Sequence, residues 1–394
     1  MKLIKISIAA ATAATCLIAT SAHALKTEDR ILKPNYVVEY TKVPGEVESF
    51  TDMFTEGHVY GRIRASRYIW DYKNENLAGA TPTTRNNSMN GVGGSFIYKT
   101  GSYHGFGATV GAYGITPLTE PNRTSTGPAN FGRAGKDMYR TRPNGTEAPI
   151  GTFAEGYLEY KAGKTSVKAG RQLIESVMLA TNDAKAIPNA FEAVLVENKN
   201  IPDTAVRFGY VTKQKLRDHE KFHSIGASAV GTSVDRLNLN DDGGSHRGLT
   251  LANISKSGNP DPRMILLTGE NKSVKDLTLN GEYIGLAGFF ATAIAEANYK
   301  VGLGAGWSLT PGVRYLRQMD GGAGNIGGAS IKGNAASDAN GGNATARSSY
   351  VNPNSVDGSI KMGRLVLANG PLAVMAGFSA VEDKADIIDR KSVV

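Results

Sequence analysis

His58-Val59-Tyr60-Gly61-Arg62-Ile63-Arg64-Ala65-Ser66 decides the fold class, because its side chains alternate with a period of two. Val59, Gly61, Ile63 and Ala65 fall on one face, and Tyr60, Arg62, Arg64 and Ser66 fall on the other. Successive side chains of a strand point to opposite faces, so this segment, continued to Trp70, offers one face to lipid and the other to water.

Further period-two segments come in pairs on either side of it. Val92 to Lys99 and Gly105 to Ile115 are joined by Thr100-Gly101-Ser102-Tyr103-His104, with Phe106, Ala108, Val110 and Ala112 on the apolar face. Phe153 to Lys161 and Thr165 to Leu173 turn at Ala162-Gly163-Lys164, and Phe191 to Asn198 and Thr204 to Thr212 turn at Asn200-Ile201-Pro202-Asp203. Gly288 to Lys300 pairs with Trp307 to Met319, and Ser359 to Leu367 with Leu372 to Val381 across Ala368-Asn369-Gly370-Pro371. Long polar stretches separate some pairs, notably Thr116 to Gly151, which carries Pro117, Pro121, Pro128, Pro143 and Pro149, and the Gly/Asn/Ser/Ala-rich run Asp320 to Asn354. Tight turns at one end and long loops at the other predict an all-β, transmembrane antiparallel β-barrel. Roughly a dozen strands are legible in this way, and Lys213 to Val274 is the least readable region.

Lys2 and Lys5 precede an apolar run from Ile6 to Ala14, and Ala22-His23-Ala24 supplies a cleavage site, so residues 1–24 read as a signal peptide and 25–394 as the barrel. The single cysteine, Cys16, lies in the leader, and Ala13 stands where a lipobox has Leu. A mature chain without cysteine excludes disulfide scaffolds, thiol catalysis and cysteine-based zinc sites. No later segment reaches the ~20 apolar residues of a spanning helix. The best candidate, Tyr283 to Ala295, stops at Glu296. The formal charge of +8 becomes 42 − 36 = +6 once Lys2 and Lys5 are removed. The cations are scattered along strands rather than clustered, which argues against nucleic acid and for a positive interior field.

Enzymatic signals are sparse. His219-Glu220-Lys221-Phe222-His223 matches H-E-x-x-H, but its flanks give no amphipathic helix and Asp241 or Asp242 are the only obvious later carboxylates to serve as third ligand, so a surface zinc hydrolase is the lesser rival. Gly91-Val92-Gly93-Gly94 and Gly302-Leu303-Gly304-Ala305-Gly306 lie in hairpins, not at the strand-to-helix junction that a phosphate cradle needs. No metal or other cofactor is implied.

Gly170-Arg171-Gln172, Asn182-Asp183-Ala184-Lys185 with Pro188 and Phe191, then Ile201 and Phe208-Gly209, resemble the OprD family of outer-membrane porins. Pro311-Gly312-Val313-Arg314-Tyr315 with Asp320-Gly321-Gly322 is similar to a second family segment, and Gly363-Arg364-Leu365, Gly370-Pro371 and Ala376-Gly377-Phe378-Ser379 to a third. The resemblance implies an inward loop narrowing the barrel, with Asn182, Asp183 and Lys185 at the constriction, and solutes bearing a carboxylate. Without it, Asn182 and Asp183 read equally well as turn formers. It also implies about 18 strands and a closing strand with a terminal aromatic. The ending Asp389-Arg390-Lys391-Ser392-Val393-Val394 lacks that residue, so the expectation is a barrel truncated in its final strands.

A lipid-facing cation at mid-membrane costs ~2 to 4 kcal/mol, so parity turns Arg62, Arg64, Arg207, Arg314 and Lys361 inward. Arg171 and Arg317, also in strands, complete the candidate pore lining, opposed by Glu155 and Glu159. The expected function is passive diffusion of small hydrophilic solutes, with outer-membrane lipid and lipopolysaccharide as surroundings. A non-conducting structural or adhesive barrel is the other rival. Nothing in the sequence separates a monomer from a homotrimer.

Overall fold

The computed structural model describes residues 29–70, 87–118, 140–141, 147–184, 186–217, 220–225, 254, 259, 261–330 and 350–388. The chain opens with a small hairpin, β1 (Arg30–Leu32) and β2 (Val38–Tyr40), followed by β3 (His58–Trp70), β4 (Asn87–Lys99) and β5 (Phe106–Pro117). Two short strands, β6 (Arg140–Thr141) and β7 (Glu147–Ala148), precede β8 (Ile150–Ala162), β9 (Thr165–Gln172), β10 (Ala190–Asn198) and β11 (Thr204–Lys215). The two-residue β12 (His223–Ser224) leads to β13 (Met264–Asn271), β14 (Leu277–Leu286) and β15 (Phe290–Tyr299). Last come β16 (Val301–Gly304), β17 (Trp307–Asp320), β18 (Gly358–Asn369) and β19 (Leu372–Val381).

One antiparallel sheet runs β19-β18-β17-β15-β14-β13-β11-β10-β9-β8-β5-β4-β3, with β12 added to β11 and β16 to β17. Every neighbour is a sequence neighbour among these strands, as hairpin connections require. Gly163 (φ 57°) and Gly370 (φ 54°) take left-handed conformations in the shortest turns, where a side chain would be strained. The bounds of β3 and β19 are those the alternation predicts. The sheet has 13 strands on its path against the roughly 18 that the resemblance implies, and no pairing joins β3 to β19 among the described residues. The unreadable region holds β13, and the apolar run Tyr283 to Ala295 is the turn of the β14–β15 hairpin. No helix among the described residues is long and apolar enough to cross a membrane, which says nothing of strands.

Directly paired residues share a face, so one face can be followed around the sheet. Ile63 (90% exposed), Leu158, Phe208, Leu267, Val313 and Phe378 lie on the outer face, all exposed. The inner face carries Tyr60, Arg62, Tyr113, Gln172, Arg207, Glu282 and Arg314. Apolar residues on the inner face, such as Phe191, Val211, Met264 and Leu316, are buried because segments of chain fold inward over them. One of these segments is 173–189, whose Ile174, Leu179 and Ile187 are fully buried. Each such side chain contributes about 1.5 to 3 kcal/mol towards holding its segment inside.

Candidate functional site

Segment 173–189 leaves β9 and returns to β10 by way of the barrel interior. On one side Glu282 of β14 accepts three hydrogen bonds from it, from Ser176 Oγ (2.8 Å), Val177 N (2.7 Å) and Met178 N (2.9 Å). On the other side Asp183 meets β3. Arg62 Nη2 pairs with Asp183 Oδ2, and Arg64 Nη1 donates to Asp183 Oδ1 (3.1 Å) and to the Asp183 carbonyl (2.6 Å). The two anchors lie eight pairings apart along the sheet, so the loop bridges the curled sheet from wall to wall. Arg207 Nη2 donates to the Glu175 carbonyl (2.7 Å), and the buried Lys215 Nζ to that of Pro188 (2.8 Å).

The turn in this loop follows from its residues. Asn182 sits at φ 36°, a left-handed conformation that Asn tolerates, and its Oδ1 accepts from Ala184 N at 3.3 Å. Turn formation and contact with β3 are therefore both properties of Asn182-Asp183. Lys185 lies outside the described residues.

Beside the loop is an interior cavity of about 460 Å³. Five cationic side chains line it, Lys33, Arg62, Lys99, Lys168 and Arg207, against five anionic ones, Glu39, Glu155, Glu175, Asp183 and Glu197. Within it, burial pushes the Glu175 carboxyl up, but hydrogen bonds from Thr181 and Asn35 and the Lys33 ammonium reverse this and hold it below the usual carboxylate range. Lys33 answers in kind. Its partial burial works downward, yet Glu39 and Glu175 hold its ammonium above the ordinary lysine value.

The seven basic candidates divide by face. Arg62, Arg64, Arg207 and Arg314 are on the inner face, and Arg314 pairs with Glu296 of the neighbouring β15. Arg171, Arg317 and Lys361 are on the outer face. Arg171 is paired across from Gly156 and ion-pairs with Glu192 (3.7 Å), whereas Arg317 reaches Asp357 (3.6 Å) and Glu382 (3.5 Å). Lys361 is opposite Tyr315, which is outward. The physical reason is that Met362 and Ile360, next to Lys361, pack inward against the apolar core of the folded-in segments, so the apolar-out rule inverts there. That inversion also hid Arg364, an inner-face residue within 3.5 Å of Glu296.

The H-E-x-x-H segment is not helical where described: His223 opens the two-residue β12, paired with β11, and His219 lies outside the described residues. Among the described residues no group of three or more His, Cys, Asp or Glu side chains is placed to hold a metal ion.

An antiparallel meander with an apolar outer face, a charged interior and a loop folded across it is the architecture of an outer-membrane diffusion channel. The family model described as outer membrane porin, OprD family, matches residues 132–369, more than half of the chain. The chain belongs to the OprD family of outer membrane porins, and is a channel rather than an enzyme. No curated protein sequence matches it significantly. Similar solved structures include Pseudomonas aeruginosa OccK8 (OprE), 15% identical with a TM-score of 0.59, covering 86% of this chain and 72% of that one. Acinetobacter baumannii OccAB1 is 16% identical at a TM-score of 0.57, covering 85% and 68%. Pseudomonas aeruginosa OpdK, solved with vanillate, is 13% identical at 0.53, covering 82% and 66%. At these identities the likeness is one of fold.

Proposed function

We propose that this porin favours small solutes bearing a carboxylate and that its selecting ring is formed by Asn182 and Asp183 of loop 173–189 facing Arg62 and Arg64, with Arg207 and Arg314 on the same inner wall. The observation that carries the reading is the Asp183 carboxylate seated on both β3 guanidinium groups. Two fixed cations against one anion leave a positive site, and its geometry already accommodates a carboxylate. OpdK, of the same fold, was solved with the carboxylate vanillate, which supports the class but not the compound. The balance of cations and anions in the cavity favours a modest preference with basic and acidic sides rather than a strong anion filter. Around the channel, the outer face contacts lipid and lipopolysaccharide, and residues 1–24 serve as the export leader.

Planar-bilayer recording tests this directly. Arg62→Gln with Arg64→Gln shifts the reversal potential in a salt gradient towards cations, and vesicle uptake of benzoate drops relative to benzamide. Unchanged reversal potential and unchanged uptake ratio at low salt would remove this pair from the solute path.

A further inference from the structure

Loop 173–189 is met inside the barrel by a second element, the N-terminal hairpin. We propose that its turn, residues 33–37, is an inward arm forming another wall of the constriction, so that the chain's N-terminal segment sets the aperture together with the loop. The proposal rests on the porin reading above.

The arm touches both sides of the site. Asp183 N donates to the Asn35 carbonyl (2.9 Å), and Arg62 Nη1 donates to the Tyr36 carbonyl (2.9 Å). Asn35 Nδ2 and Lys33 Nζ (3.4 Å) both donate to Glu175 at the start of the loop. The Arg64 guanidinium lies 5.9 Å from the centre of the Tyr36 ring. Lys33, Val37, Glu39 and Tyr40 line the same 460 Å³ cavity as Arg62 and Asp183.

Its internal structure suits a presented tip. Lys33 N donates to the Val37 carbonyl and Tyr36 N to the Lys33 carbonyl, both at 2.9 Å, while Asn35 Oδ1 accepts from Val37 N (3.3 Å). Tyr36 takes φ 64°, a conformation that a bulky residue keeps only where its surroundings impose it. Among the described residues the arm's two strands pair with each other and not with the main sheet. After Tyr40 the chain runs to the short-turn rim, where the Lys42 carbonyl accepts from Tyr60 Oη (2.9 Å) and Val47 N donates to the Ser102 carbonyl (2.8 Å). Ile31, Leu32 and Tyr36 remain more than half exposed. The arm leads into a segment fixed at the rim and is held at its tip mainly by polar contacts, so it can be removed without cutting a barrel strand.

The test uses the full chain in planar bilayers. Deleting residues 29–41 raises single-channel conductance about twofold or more, because the narrowest section governs the resistance of a pore. Tyr36→Cys, which introduces the one thiol of the mature chain, gives a channel whose current drops in steps on adding a charged methanethiosulfonate reagent and recovers with dithiothreitol. This second variant decides the matter if the deletion fails to assemble. Wild-type conductance after the deletion, or an undiminished current in protein that mass spectrometry shows to be labelled, overturns the arm. A wild-type protein that passes no current at all refutes the porin reading instead.

Discussion

Arg62 and Arg317 are both guanidinium groups on antiparallel strands, yet they face opposite media. Arg62 sits on the inner face against Asp183, with Ile63 beside it 90% exposed on the outer face. Arg317 shares the outer face with Val313 and Tyr315 and survives there through ion pairs with Asp357 and Glu382, next to the loops that follow β17 and β19. The cost of an outward cation falls close to zero near the membrane surface, which permits such residues at strand ends. Arg317→Gln and Lys361→Gln are expected to leave the reversal potential at its wild-type value, unlike Arg62→Gln with Arg64→Gln. A shift equal to that of the β3 pair would reverse the assigned facing. Conversely, Ile63→Arg places a cation on the exposed apolar face and is expected to destabilise the folded barrel by ~2 to 4 kcal/mol, read as a lower urea midpoint for the heat-modifiable band.

The loop and the arm are elements whose positions depend on a few buried acceptors. Glu282 satisfies two backbone N–H groups of the loop as well as Ser176 Oγ, so Glu282→Ala leaves those amides without their partner at a cost on the order of 2 kcal/mol. Limited proteolysis within 173–189 should accelerate while the strands stay protected; unchanged cleavage would mean that the apolar core of the loop suffices. Glu175 adds a pH dependence to the arm. Its carboxyl is held below the ordinary value by Thr181, Asn35 and Lys33, with the Arg207 side chain on its carbonyl and Glu39 sharing Lys33. A depressed carboxyl stabilises docking fully above its ordinary value of about 4.3 and loses that contribution as pH falls through the depressed one. The raised Lys33 behaves oppositely, contributing below about 10.4 and losing it as pH rises beyond. Conductance is thus expected to be flat through neutral pH and to rise only in acid below the carboxyl range, a rise abolished by Glu175→Gln. A transition near neutral pH would point to some other group.

At the scale of the whole molecule, the strands are legible where one face is apolar and the other polar, as in β3, whose Ile63 faces outward while Arg62 and Arg64 face inward. Legibility failed where the interior is apolar. In Met264-Ile265-Leu266-Leu267 the inward Met264 and Leu266 are buried in the same core as loop 173–189, so both faces are apolar and the alternation that marks a strand vanishes. The same filling of the interior misdirected Lys361. The sequence points to the loop only through the resemblance carried by Asn182-Asp183, and it does not point to the arm, because Lys33 and Asn35 find Glu175 some 140 residues away through contacts without any sequence period.

The interior as a whole carries mixed charge, and this fixes how selectivity should depend on salt. Five cations and five anions around one cavity give no strong net field, so any preference arises from local asymmetry such as two arginines against one aspartate. Such local fields extend about one Debye length, ~10 Å at 0.1 M salt and ~3 Å at 1 M. The wild-type anion-to-cation permeability ratio is therefore expected to move towards unity between 0.1 M and 1 M potassium chloride. The variant lacking both β3 arginines should converge on the same value at high salt, having differed at low salt. If the two channels still differ at 1 M, the arginines act through direct contact with the permeating ion in a section too narrow for salt to screen, and the aperture set by loop and arm is tighter than the 460 Å³ cavity implies.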